Sequence, residues 1–328
     1  ASDVYKRQVM GIVEVLKHYR FFKTVLKQVL AEVDERKPAA ALLVDYPGFN
    51  LRLAAALKKR GVRVFYYISP KVWAWNRKRI PKMAKLIDRL MVIFPFEVEL
   101  FDGTGLPVEY VGNPLVEQMD RFLQTDPDPL PWPTELRVAL LPGSREQEID
   151  RILPTMLEAA WKLEKRFPEI SFMIATPNAQ IERVVKGKIF ASPSNPTRLN
   201  VVCGQARELM RQAQAAMVAS GTATLETALI GTPHILVYKT SAFTYWVARS
   251  VVKIRHIGLV NIVAGHSVTP ELIQHDAAPD RLAQETGRLL TDTPERRAML
   301  DGYAEVRKIL GVEKAAQNVA ETLCRRSD

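Results

Sequence analysis

Short apolar runs alternate with helical periods along almost the whole chain, and one proline-rich run, QTDPDPLPWPTE (124–135), cuts that alternation in two. Before the cut, AALLV (40–44), VRVFYYIS (62–69), RLMVIF (89–94) and VEYVG (108–112) read as strands. Between the first two lies LRLAAALKKR, a helix closed by Gly61. Continuous apolar strands separated by helices imply a parallel sheet covered by helices. After the cut the pattern resumes with LRVALL, SFMIAT, NVVC, AAMVAS and HILVYK. Proline cannot sit inside a helix or a central strand, so 124–135 is expected to be a linker. Its Asp126 and Asp128 read as solvated linker carboxylates rather than a metal pair. The expected fold is α/β: two doubly wound, Rossmann-like domains facing across a cleft. The first domain is expected over 1–134 and the second over 135–300, with helices of 301–328 packing back on the first.

The start of the chain departs from that pattern. ASDVYKRQ has no initiator methionine, and no strand precedes the helical period at VMGIVEVL. A doubly wound domain opens with a strand, so the first domain is expected to lack its N-terminal β-α-β segment.

In such sheets ligands bind beyond the carboxyl ends of the strands, which directs attention to the loops there. PGSR (142–145) follows a buried strand and precedes a helix. Gly143 allows a tight turn, Ser144 can cap or donate, and Arg145 offers a planar fork suited to phosphate. The helix start adds free N–H groups and a positive dipole end. An ordinary strand–helix turn with a surface arginine is the competing reading. SGTATLETAL (220–229) stands at an equivalent place. Gly221 and Thr222 leave the backbone open, and Glu226 could accept from vicinal ribose hydroxyls or merely complement the helix dipole. Two such loops at one sheet edge suggest a nucleoside diphosphate. Neither G-x-G-x-x-G after a strand, nor a Walker loop, nor a nucleophile elbow is present.

In the first half, Asp45 follows the strand AALLV in VDYPGFN. It is either a general base or a turn-forming aspartate before Pro47 and Gly48. Trp73 and Trp75 precede Arg77, Lys78 and Arg79, a mixture that suits a nucleic acid or a lipid headgroup surface. The first helix pairs Val13, Val15, Leu16, Tyr19 and Phe22 with lysines and arginines. Its apolar stripe is either core or a membrane contact. A formal net charge of +10 favours an anionic partner of some kind. Cys203 and Cys324 lie too far apart in sequence to suggest a disulfide framework, so a reducing cytoplasm is the default.

These residues together resemble the lipid-A-disaccharide synthases, bacterial glycosyltransferases of the two-Rossmann (GT-B) architecture. The resemblance rests on VMGIVEVL, VDYPGFNLRLA, YYISPKVWAWNRKRI, IFPFE, VEYVGNPL, LLPGSREQEI, ASGTATLETAL and GLVNIVAG. It implies an inverting transfer from UDP-2,3-diacylglucosamine to 2,3-diacylglucosamine 1-phosphate (lipid X), giving the lipid A disaccharide 1-phosphate and UDP. No metal or cofactor is implied, and no nucleic-acid partner. The implied setting is the cytoplasmic face of the inner membrane of Gram-negative bacteria, on its anionic surface, with a homodimer as one possible assembly. The resemblance puts Asp45 as base, Arg145, Glu226 and Asn261 at the UDP, where the loop reading adds Gly143, Ser144, Gly221 and Thr222, and Val13, Val15 and Leu16 at membrane or acyl chains. Many members carry a second aspartate where this chain has Gly48. A sugar-nucleotide epimerase of the same architecture, and a basic RNA-binding module without catalysis, are the rival readings.

Overall fold

The computed structural model describes residues 12–241, 245–246, 255–311 and 314–325, with the side chains of 12–20 and of Trp75 outside that description. The chain divides into two units, Ala1–Val111 with Ala316–Asp328, and Gly112–Ala315.

The first unit holds helix α1 (Ile12–Arg36), strand β1 (Ala40–Val44), α2 (Pro47–Lys58), β2 (Arg63–Tyr67), the single turn α3 (Val72–Trp75), α4 (Ile80–Leu86), β3 (Arg89–Val92) and β4 (Val108–Tyr110). Its four strands are parallel, in the order β1-β2-β3-β4. Leu53, Leu57, Val64, Tyr66, Met83 and Leu90 form the buried core under α2 and α4. Two helices of this unit carry a proline in the first turn, Pro47 as the first residue of α2 and Pro81 as the second of α4, where a missing N–H costs nothing.

The second unit begins with α5 (Pro114–Leu123), capped by the Asn113 side chain accepting from Leu115 N at 3.0 Å. It continues through β5 (Leu136–Leu141), α6 (Glu146–Arg166), β6 (Ile170–Thr176), α7 (Ala179–Ala191), β7 (Leu199–Cys203), α8 (Ala206–Gln212) and β8 (Ala215–Ala219). Then follow α9 (Thr222–Ile230), β9 (His234–Tyr238), α10 (Leu259–Ala264), β10 (Glu271–Ile273), α11 (Pro279–Arg288) and α12 (Pro294–Leu310). The sheet is parallel throughout, in the order β10-β9-β8-β5-β6-β7. β6 and β8 are buried along their whole length, as strands covered on both faces must be. The chain enters at β5, builds outward through β6 and β7, and then crosses back to β8 on the other side of β5. The order therefore reverses between β5 and β8, the place where doubly wound sheets open a ligand crevice.

Two boundaries differ from expectation. The division falls at Gly112, and the proline-rich run belongs to the second unit. Leu130 is buried in that unit's core. The α8 side chains satisfy the run's backbone: Gln212 Oε1 accepts from Leu130 N at 3.1 Å, and its Nε2 donates to Asp128 O at 2.7 Å. A run with few N–H groups needs no ladder partner and can lie along a surface. Of the C-terminal helices, α12 stays in the second unit, with Met299, Tyr303 and Val306 buried. Only the last, α13 (Ala315–Cys324), joins the first unit, from Ala316 onward. There Val319 packs with Phe65, Met91 and Val111, and Asn318 Nδ2 donates to Val111 O at 3.1 Å. Among the described residues no helix is long and apolar enough to cross a membrane.

Candidate functional site

At the carboxyl ends of β5, β6 and β8 the second unit opens a cavity of about 350 Å³. Gly143, Ser144, Arg145, Gly221, Thr222 and Glu226 all line it. The two loops singled out from sequence are thus neighbours, because β5 and β8 pair directly.

The local chemistry of each loop follows from its strand–helix turn. Gly143 has φ of 112°, and a Cβ there would lie 2.7 Å from Glu148 Oε2, so only glycine fits. Neither α6 nor α9 has a side-chain cap at its N-terminus. Thr224 turns its hydroxyl back to Gly221 O at 2.8 Å, which leaves the start of α9 open toward the cavity. Two uncapped helix starts supply N–H donors and partial positive charge to one place, the arrangement that binds phosphate groups.

A carboxylate of the chain already occupies part of this cradle. Glu148, in the first turn of α6, accepts from Ser144 N at 3.3 Å through Oε2 and from Arg145 Nη1 at 3.2 Å through Oε1. Glu226 is also engaged: its Oε1 accepts from Arg207 Nη2 at 2.8 Å and Nε at 3.2 Å. Arg207, on α8, reaches Gln118 Oε1 on α5 at 3.1 Å as well. The second oxygen of Glu226 remains available for a donor such as a hydroxyl. Sequence reading passed over both Glu148 and Arg207. Glu148 was legible as the acidic first turn after PGSR; Arg207, distant in sequence, gave no signal.

Asn261 is not brought to this cavity. It is buried, its Nδ2 donates to Thr269 O and to Glu271 Oε1 at 2.8 Å each, and its Oδ1 accepts from Val268 N at 2.8 Å and Thr269 N at 2.9 Å. With its hydrogen-bonding capacity spent on the turn that joins α10 to β10, it holds that turn and has no group left for a nucleotide.

In the first unit Asp45 stands just past β1 in the left-handed region, with φ of 47°, followed by Tyr46 at 46°. Two consecutive residues there cost about 1–3 kcal/mol each and persist only where the surroundings enforce them. Here they do: Asp45 N donates to Tyr67 O at 2.9 Å. Its carbonyl accepts from Asn50 Nδ2 and from the phenol of buried Tyr66, both at 2.7 Å. Burial, and then the nearby Asp45 charge, push the Tyr66 phenol well above its ordinary range, so it stays a donor. The asparagine and tyrosine that fix Asp45 were not identified from sequence.

The expected surface residues divide. Trp73 is half-buried and turned inward: its Nε1 donates to Glu97 at 3.2 Å, and its ring meets Phe96 edge-on. Burial pushes the Glu97 carboxyl up to about 7 against the pull of its hydrogen bonds from Phe94, Trp73 and Ile93. Phe22 packs on Tyr46 and Phe49, with ring centres 5.8 and 6.1 Å apart. Arg77 is exposed. The side chains of Val13, Val15, Leu16, Tyr19 and Trp75 lie outside the described residues.

Among solved structures the chain resembles UDP-GlcNAc 2-epimerase from Neisseria meningitidis bound to UDP-GlcNAc, with a TM-score of 0.63 at 14% identity over 97% of this chain and 83% of that one. A trehalose-6-phosphate synthase gives 0.61 at 12% identity, over 97% and 79%. At those identities the likeness concerns the fold. Sequence relatives reach further. The lipid-A-disaccharide synthase of Anaeromyxobacter dehalogenans (strain 2CP-1) is 41% identical over 98% of this chain and 83% of its own length. That of Syntrophus aciditrophicus (strain SB) is 40% identical over 100% and 86%. Residues 2–323 match the family model described as lipid-A-disaccharide synthetase, and the chain belongs to that family.

Proposed function

We propose that the chain, by its family a glycosyltransferase of lipid A biosynthesis, joins UDP-2,3-diacylglucosamine to 2,3-diacylglucosamine 1-phosphate. The observation that carries the substrate assignment is the cavity at the β5/β8 reversal, where Arg145, the Ser144 N–H and an uncapped helix start converge. A diphosphate fits that donor set. Glu226, steadied by Arg207, takes the ribose hydroxyls.

In the reaction the acceptor hydroxyl oxygen bonds to the anomeric carbon of the donor sugar, from the side opposite the departing UDP. The bond from that carbon to the diphosphate oxygen breaks, and its electron pair leaves on UDP. Arg145 and the two helix starts stabilise the growing negative charge. Asp45 accepts the hydroxyl proton, and its rigid backbone keeps the carboxylate in place for that step. The lipid substrates put the enzyme at the inner face of the inner membrane. Arg77, Lys78, Lys82 and Lys85 are exposed, and each contributes about 1 kcal/mol near an anionic surface.

Titration calorimetry with UDP, followed by an assay for disaccharide product, tests the reading. Arg145→Ala weakens UDP binding about 10- to 100-fold, the worth of a charge-assisted hydrogen bond. Asp45→Ala leaves UDP binding intact and lowers turnover at least about 100-fold, within the range of general base catalysis. Wild-type turnover in either variant rejects that residue's role.

A further inference from the structure

The first unit carries a cavity of its own, about 270 Å³, at the carboxyl ends of the paired strands β1 and β2. Ile68 on its wall has φ of 66°, a conformation that a β-branched residue avoids, and Ile68 N is pinned to Met91 O at 3.0 Å. Asp45, left-handed too, is on the same wall. Forced backbone at two adjoining strand ends around one cavity is the kind of strain that marks a ligand site rather than a packing need. Two cationic side chains, Lys71 and Arg79, line it with the single carboxylate of Asp45. The uncapped start of α2, at Pro47, adds partial positive charge beside them.

We propose that this cavity, walled by Asp45, Ile68, Ser69, Lys71, Asn76 and Arg79, binds the phosphorylated sugar headgroup of the acceptor, with Lys71 and Arg79 on its phosphomonoester.

The inference rests on Asp45 being the base, and it adds what that reading leaves open: how the acceptor is recognised. The charge balance selects the ligand. Lys71 also faces the buried Glu97 carboxyl, and two cations beside the base favour an anionic acceptor over a neutral sugar. A phosphomonoester carries one to two negative charges at neutral pH and presents the planar oxygen pair that a guanidinium grips. The volume lies just below the usual range of ligand pockets, about 300–1,000 Å³, so it holds a headgroup and leaves acyl chains outside. Asn76 and Ser69 provide the short polar contacts that orient a sugar ring.

The test compares two acceptors, 2,3-diacylglucosamine 1-phosphate and its dephosphorylated form, in wild type and in Lys71→Gln/Arg79→Gln. Wild type prefers the phosphorylated acceptor at least tenfold in kcat/KM. In the double variant that preference falls to about threefold or less, through acceptor KM, while the calorimetric Kd for UDP stays within twofold. Lys71→Glu alone, at an exposed position, gives the same loss should the double variant fold poorly. Soluble glucosamine 1-phosphate, followed by NMR saturation transfer, binds wild type and is displaced by inorganic phosphate; methyl glucosaminide does not bind. An unchanged preference in a folded variant, or equal binding of the two soluble sugars, overturns the site. Absence of UDP binding in wild type would instead strike the glycosyltransferase reading, and the soluble-sugar experiment still decides this one.

Discussion

Arg207 holds Glu226 by one oxygen, with both Nε and Nη2 on Oε1 at 3.2 and 2.8 Å, and leaves the other oxygen to the cavity. A carboxylate pinned on one side presents its free lone pairs in a single direction. It gives up less rotamer freedom on binding than a mobile glutamate would. The glutamate side chain is 18% accessible and the arginine 40%, so the pair is screened less than a fully exposed one but is still salt-sensitive.

Arg207→Ala should therefore weaken UDP binding about 5- to 30-fold, equivalent to about 1–2 kcal/mol, with little change in melting temperature. Calorimetry reads the first and thermal unfolding the second. Unchanged UDP affinity would show that Glu226 does not meet the nucleotide.

Glu148 makes the opposite prediction. Its carboxylate sits on the Ser144 N–H and on Arg145, the donors assigned to the diphosphate, so it competes with an incoming anion. Glu148→Ala should tighten UDP binding about 3- to 10-fold, since one charge-assisted contact no longer has to be broken. The gain should shrink as salt rises. Weaker binding in this variant would instead make Glu148 a support of the loop.

Asn50 and Tyr66 act on the first unit. Asn50→Ala removes the donors to Val44 O and Asp45 O, and should cost about 1–3 kcal/mol of stability. Turnover should fall with it as Asp45 relaxes from its left-handed conformation. Tyr66→Phe removes one donor to the same carbonyl and should cost about 1 kcal/mol. Denaturant unfolding and steady-state assay report the pair; full turnover in a folded Asn50→Ala would show that the strain at Asp45 is not used.

His234 gives a pH signature to the second unit. It is fully buried beside Tyr303, whose phenol lies 2.7 Å from Nδ1, and burial holds its pKa down at about 4 against an ordinary 6.5. Below pH 6.5 the unfolded chain takes up a proton that the folded chain refuses, so stability is lost as pH falls toward 4. The loss is about 3 kcal/mol across that window. Glu97 works the other way in the first unit: its raised pKa of about 7 means stability is lost as pH climbs from the ordinary 4.5 through 7. Between pH 4.5 and 6.5 the two effects oppose, so urea unfolding should show stability falling with rising pH in His234→Leu and rising with pH in Glu97→Ala. The same slope in wild type and His234→Leu would rule the histidine out as its source.

The local pattern was enough to determine β1 to β9 (not β10), their parallel pairing class and the two loops that line the cavity at the β5 and β8 ends. Apolar runs of strand length, punctuated by PGSR and SGTATLE, leave few other ways to bury that surface, and strand ends place such loops at one edge. VDYPGFN likewise drew attention to Asp45, as a base or as a turn residue. What the sequence could not say is which strands would be neighbours. The reversal between β5 and β8, the grip of Arg207 on Glu226 across α8 and α9, and the lock of Tyr66 on Asp45 all join residues far apart in the chain. The resemblance put Asn261 with the cavity residues, yet its side chain bonds inward. Whether a polar group meets a ligand or its own backbone depends on which donors and acceptors the folded chain leaves beside it, and only tertiary packing decides that.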